Sequence, residues 1–183
     1  MALPHYTNDK TSNSDGKRYE PVYPNLFEVS IIPPGGNNEE LTMQHVTSVE
    51  GLVTTPEIAA VGQKYKFSDR SYAGMPDSTF MDITINFTLN LNDSNQLYLY
   101  KELKNWYLRV YDPATGEIGL KQDYVGKIII VQHNRAGDVF RKVTCEDAFI
   151  TGSLDLGGLD YGSAEPAALA AAFRVDSWTE ELT

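Results

Sequence analysis

Only one cysteine, Cys145, occurs in the 183 residues. A lone thiol excludes an internal disulfide framework and an all-cysteine metal site. Histidine is nearly as scarce: His5, His45 and His133 are far apart, with neither the i,i+4 nor the short-loop spacing that metal sites use. Positive charge is in deficit, with 15 Lys and Arg against 25 Asp and Glu for a formal net charge of −10. That balance excludes the mode in which cations displace condensed counterions from nucleic acid. It equally disfavours attraction to an anionic membrane surface. Long apolar runs are missing too: the longest near the C-terminus, residues 167–173, falls far short of the roughly 20 residues a spanning helix needs. Residues 1–20 have neither the basic n-region nor the apolar h-region of a secretory signal. The expectation is a chain made and assembled in a reducing cytoplasm, without stable membrane anchoring.

Apolar material is nevertheless ample. Hydrophobic residues make up 42%, with seven Phe, eleven Tyr and two Trp, which places the chain among globular domains. A chain of this length buries about two-thirds of its surface on folding, so one core suffices without staples. Nothing repeats at a fixed period, which excludes solenoids and propellers. Residues 1–20 form a polar N-terminal arm, either disordered or ordered against a neighbouring subunit. Residues 21–183 make a single β domain.

Hydrophobic period divides that domain. Phe27, Val29 and Ile31 alternate with Glu28 and Ser30 before the turn at 33–38. A weaker strand is expected over Leu41–Val49, and a third carries Val61, Tyr65 and Phe67 opposite Lys64 and Lys66. Residues 68–79 contain Gly74 and Pro76 among other turn formers and are expected to be a long exposed loop. Then Met81, Ile83, Ile85, Phe87, Leu89 and Leu91 alternate without a fault with Asp82, Thr84, Asn86, Thr88, Asn90 and Asn92. Only a strand puts that whole apolar set on one face. The period changes after Asp93, a candidate N-cap with Gln96 three residues on. Leu97, Tyr100, Leu103, Trp106, Tyr107 and Val110 recur at threes and fours, predicting a helix over 93–111 ended by Asp112-Pro113. Val125–Val131 is nearly continuous apolar and reads as a strand covered on both faces. A hairpin turn at 134–138 leads to a strand over Val139–Ile150, a glycine-rich linker over 151–165 and a last strand over Ala167–Trp178. The fold class is mainly β: a β sandwich or barrel with one packed α-helix.

No catalytic constellation emerges. Cys145 lies within a strand and reads as a buried structural thiol. The Ser, His and Asp residues lack a Gly-x-Ser-x-Gly elbow. Gly152, Gly157, Gly158 and Gly162 lack the Lys-Ser/Thr of a phosphate loop and lead into a strand, not a helix N-terminus. Asp155 and Asp160 do not match a calcium loop. No cofactor or metal is expected, and the chain reads as a structural or interaction protein, not an enzyme.

Two segments carry a resemblance. Tyr23-Pro24-Asn25-Leu26-Phe27-Glu28-Val29 resembles the opening of the tail tube proteins of contractile-tailed bacteriophages, and Phe173-Arg174-Val175-Asp176-Ser177-Trp178 resembles their ending. The order of elements between them is similar over roughly residues 20 to 180, whereas the arm and the glycine-rich linker match no family motif. The resemblance implies hexameric rings stacked into a tube, with strands from each subunit joining a continuous inner barrel. It implies partners in further copies of the chain, a contractile tail sheath, and baseplate and tail-terminator proteins, with DNA as a transient, non-specific passenger. Within that frame Asp82, Thr84, Asn86, Thr88 and Asn90 are candidates to line the lumen, being polar, mostly neutral and unable to grip phosphates. The loop 68–79 is a candidate ring-stacking contact with Arg70, Tyr72 and Met75 as anchors, since these residue types are enriched at interfaces. The alternatives are the tube protein of a type VI secretion or other contractile injection system carrying effectors, and a tube-like baseplate or terminator protein. A carbohydrate-binding β sandwich is a more distant one.

Overall fold

The computed structural model describes residues 21–35, 41–42, 46–76, 79–89, 98–154, 162 and 168–183. In chain order the elements are β1 (Phe27–Ile32), β2 (Leu41–Thr42), β3 (Val46–Glu50), β4 (Ile58–Tyr65), β5 (Ser68–Pro76), β6 (Met81–Thr88), α1 (Tyr98–Val110), β7 (Tyr111–Asp112), β8 (Glu117–Ile118), α2 (Lys121–Tyr124), β9 (Gly126–His133), β10 (Val139–Ile150) and β11 (Ala168–Leu182). The arm, His5, His45, Asn90, the Asp93 cap and most of the glycine-rich linker lie outside the described residues.

Seven strands form one antiparallel sheet in the order β2-β1-β9-β10-β11-β6-β3. Period-two alternation turns one face of each long strand inward. Val29 and Ile31 of β1, Ile128 and Ile130 of β9, and Met81, Ile83, Ile85 and Phe87 of β6 are all buried. Strands from both halves of the sheet share this one core with Leu103 and Trp106 of α1, so the sheet is curled around the helix.

Chain length requires the same curvature. Thr42 ends β2 at one edge and Val46 begins β3 at the other, with only residues 43–45 between them. Four residue steps span at most about 14 Å. Seven strands laid flat would separate the outer two by roughly 29 Å. The sheet is therefore an open half-barrel, not a sandwich of two sheets. The single strand expected over Leu41–Val49 is two short ones at opposite edges, because the curl brings those edges within reach of three residues.

Helix α1, Tyr98–Val110, lies within the stretch expected over 93–111, of which residues 93–97 fall outside the described residues. Leu103 and Trp106 are buried, and Tyr100, Tyr107 and Val110 pack half-buried beside them. Trp106 is the anchor: its ring centroid lies 5.3 Å from that of Phe173, and its Nε1 donates to the Tyr124 carbonyl at 2.7 Å. Gly126 is required by this packing, since a Cβ there would sit 2.7 Å from both the Ile32 carbonyl oxygen and the Trp106 ring. Gly126→Ala is expected to lower stability by about 1–3 kcal/mol through overpacking. Urea unfolding checks this, and an unchanged midpoint would refute the contact.

Three further expectations need correction. Ser68–Pro76 is not a loop but a strand, β5, paired with β4 around a turn at Lys66-Phe67. Gly74, read as a turn former, instead sits at the register shift between Ile58 and Ala60, where a Cβ would be 3.0 Å from the Ala59 carbonyl oxygen. Glycine within a strand marks a bulge or a close backbone approach as often as a turn. In β9 only Ile128 and Ile130 are buried; Ile129 is half-exposed, so the apolar run is covered well on one face only. Lastly, the expected single helix is not alone: α1 passes directly into the small β7–β8 hairpin, and a second, one-turn helix, α2, follows it.

In β10 the inward set changes parity, from Val143 and Cys145 to Ala148 and Ile150. Between them Glu146 and Asp147 are both exposed, Asp147 has φ 53°, and the pairing with β9 shifts register. This bulge lets the long strand bend while keeping its apolar side chains in the core.

Candidate functional site

Cys145 is buried, and burial pushes its thiol up to about 12, so it is a packing residue and not a nucleophile. Among the described residues no group of three or more His, Cys, Asp and Glu is placed to hold a metal ion. The functional candidates are instead three surfaces.

The first is the outward face of β6. Asp82, Thr84, Asn86 and Thr88 share it, as the alternation requires. Their cross-strand partners on β11 are Arg174, Ala172, Ala170 and Ala168, and on β3 Glu50 faces Thr84 and Ser48 faces Asn86. The patch is thus small-residued and polar. Asn86 Nδ2 donates to Ser48 Oγ at 2.8 Å. Arg174 Nε and Nη2 donate to the two oxygens of Asp82 at 2.8 and 3.0 Å, in the bidentate geometry of a strong ion pair. The guanidinium also lies over the Phe80 ring, 5.6 Å from its centroid. Asp82, the single carboxylate among the five candidate lining residues, is therefore neutralised by a cation that the sequence pattern did not place beside it. The alternation of Phe173, Arg174 and Val175 does put Arg174 on the outer face, and the cross-strand register makes it the neighbour of Asp82.

The hydrogen bond to Arg174 holds the Asp82 carboxyl below the usual carboxylate range, outweighing burial, which pushes it the other way. The sign follows from linkage: a depressed folded-state pKa adds stability above the unfolded value, lost as pH falls through the folded value. Arg174→Gln is expected to raise the Asp82 pKa toward the ordinary range. Carboxyl NMR titration checks it, and an unmoved Asp82 would refute the assigned cause.

The second surface is the β4–β5 hairpin. Its strands pair with each other and with no other strand of the described residues. Register puts Val61, Gln63 and Tyr65 opposite Tyr72, Arg70 and Ser68 on one face. There the Tyr65 hydroxyl donates to Gln63 Oε1 at 2.9 Å, and the Arg70 guanidinium lies 6.0 Å from the Tyr65 ring centroid. Apolar side chains stand in the open: Phe67 at the tip is 92% exposed and Met75 85%. Of the three candidate stacking residues, Arg70 and Tyr72 share this face, while Met75 lies in the irregular stretch near Gly74. Sequence reasoning missed Tyr65 and Phe67, which it assigned to an ordinary half-buried strand.

The third is a groove of about 690 Å³ lined by Phe27, Val46, Val49, Leu52 and Ile130, with Arg141 beside them. It lies where β3 comes round toward β1 and β9, at the open side of the half-barrel. Arg141 ties the chain leading to the hairpin in place: its Nε donates to Glu180 Oε1 at 2.6 Å and its Nη2 to Thr54 Oγ1 at 3.2 Å. Trp178 Nε1 donates to the Thr54 carbonyl at 3.2 Å.

The fold is similar to that of solved components of contractile injection systems. One is from the anti-feeding prophage cap, the AFP tube-terminating cap, at 18% identity and a TM-score of 0.63, covering 90% of this chain and 93% of that one. Another is from the PVC sheath–tube complex, part of an extracellular contractile injection system in the extended state, at 21% identity and TM-score 0.57, covering 97% and 98%. A third is from the PVC sheath/tube terminator, at 17% identity and TM-score 0.61, covering 89% and 98%. No protein-family pattern matches the chain, and no curated protein matches it in sequence.

Proposed function

We propose that this chain is a structural, tube-forming subunit of a contractile injection system, acting by self-assembly and not by catalysis. The β4–β5 hairpin carries the reading. An isolated two-stranded hairpin is marginal in water, and this one leaves aromatic and aliphatic side chains uncovered on the free subunit. A neighbouring copy supplies the cover. The half-barrel itself has edges at β2 and β3, and joining such edges between subunits into a continuous inner barrel removes the unpaired backbone they present. In the ring, Asp82, Thr84, Asn86 and Thr88 face the lumen together with Ala168, Ala170 and Ala172, a surface without a free cation to hold a passing polyanion. Asn90 extends this candidate lining beyond the described residues.

The fold likenesses to AFP and PVC components favour an injection-system tube, cap or terminator. Sheath, baseplate and terminator proteins are then the partners. The phage tail tube is the second reading, carried by the opening and closing sequence motifs; its passenger is DNA. Electron microscopy of the purified protein at high concentration tests the common claim, with hexameric rings or tubes as the expected result. A strictly monomeric protein would overturn it. A tube whose lumen is lined by other residues would remove the lining assignment alone.

A further inference from the structure

Exposed large apolar side chains are unevenly spread over the described surface. One cluster is the β4–β5 hairpin; a second runs from Leu108 through Tyr111 and Ile118 to Leu120, with Ile118 76% exposed and Leu120 66%. The two clusters differ in charge. Around the hairpin tip stand Lys64, Lys66 and Arg70 against the single carboxylate Asp69, which lies opposite Lys64 in the register. Lys66 and Arg70 lie over the Phe67 and Tyr65 rings of the same hairpin, at 5.5 and 6.0 Å from the ring centroids, and the tip is locally basic in a chain whose overall balance is strongly acidic. The second cluster carries Asp112, Glu117 and Asp123; of its two cations, Lys121 is already paired with Asp176, and Arg109 turns its guanidinium toward Gly35.

The β7–β8 register adds an independent observation. Asp112 and Glu117 are direct cross-strand partners. Like charges facing each other across a strand pair are destabilising, and no Lys or Arg among the described residues forms an ion pair with either. Asp112 Oδ1 accepts only the Ala114 amide, at 2.9 Å, within its own turn. This pair gains from a cation brought by another molecule. Tyr111 and Ile118, the adjacent cross-strand pair, lie on the opposite face of the same hairpin and give an aromatic side chain an apolar seat there.

We propose that the β4–β5 hairpin tip of one copy straddles the β7–β8 hairpin of the next: Lys66 and Arg70 meet Asp112 and Glu117 on one face of it, and Phe67 packs against Tyr111 and Ile118 on the other. The donor and receiver are different surfaces of one chain. The contact is therefore heterologous, the kind that closes a ring or propagates a stack without needing a second protein. This pairing rests on the tube reading and names the partner surface for its hairpin. Its opposite-charge part weakens as salt screens exposed charges.

Charge exchange tests it. K66E/R70E and D112K/E117K are each expected to lower the sedimentable fraction at least about tenfold, since like charges set across an interface repel. The combined four-substitution chain is expected to assemble again. Circular dichroism confirms that each variant is folded. A second measurement does not depend on rescue: mixed chains carrying Phe67→Cys and Ile118→Cys, on the otherwise buried-thiol background, should form a disulfide between copies. Wild-type assembly with neither rescue nor cross-link would overturn this pairing alone and direct the hairpin elsewhere, including the Phe27–Leu52–Ile130 groove. A wild-type chain that never assembles would overturn the tube reading and this pairing together.

Discussion

Replacing the β4–β5 hairpin with a short turn is expected to leave a folded subunit that no longer assembles. The hairpin hydrogen-bonds to no other strand of the described residues, and none of its side chains belongs to the buried core. Removing it opens no cavity, so stability should change by no more than about 1 kcal/mol, as for substitutions away from core and caps. Assembly, by contrast, should lose its largest apolar contact. The point substitution Phe67→Ala isolates one side chain that is 92% exposed in the free subunit. If Phe67 is an anchor of the kind that dominates interfaces, its truncation costs assembly about 2 kcal/mol or more, on the order of 30-fold in affinity. Sedimentation paired with urea unfolding separates the two effects. Tubes formed normally by the hairpin-less chain would end the assignment.

The opposite pattern is expected at Trp106. It is buried against Phe173 and holds the Tyr124 carbonyl, so it joins α1, the sheet and the segment leading into β9. Trp106→Ala should cost about 3–5 kcal/mol, the range for large aromatic truncations in cores. The orphaned carbonyl adds to that unless water reaches it. Trp106→Phe restores most of the ring without the donor, so the difference between the two variants measures packing against hydrogen bonding. A loss below about 1 kcal/mol for the alanine variant would mean that the core repacks around the gap, contrary to the usual limited relaxation of interiors.

These contrasting sites also show what the sequence could reveal. Strand β6 was legible almost residue by residue, because a strictly alternating pattern has only one conformation that segregates it. Helix α1 was legible through the spacing of Leu103, Trp106 and Val110. The β4–β5 pair was not, since its apolar residues face no core of their own chain, and intramolecular patterning encodes only residues that do. Gly74 and Pro76 then pointed to a loop where a bulged strand stands. The division of 41–50 between two sheet edges was equally hidden, because it depends on the curl of the whole sheet. In β10 a local signal did exist: the adjacent exposed carboxylates Glu146 and Asp147 mark where the inward parity changes. Of the candidate lining, the shared face of Asp82, Thr84, Asn86 and Thr88 followed from period alone. The Arg174 clamp needed the β6–β11 register, which no local pattern supplies.

The short link between β2 and β3 has a mechanical consequence. Three residues tie the two edge strands of the sheet, so the half-barrel cannot flatten without first drawing that link taut. Curvature is a covalently limited property of each subunit. In a tube driven lengthwise against resistance, the bore would then be held by the subunits themselves, and bending would be taken up at the joints between them. Lengthening the link by several glycines should soften the wall while leaving the joints unchanged, separating the stiffness of the brick from that of the mortar.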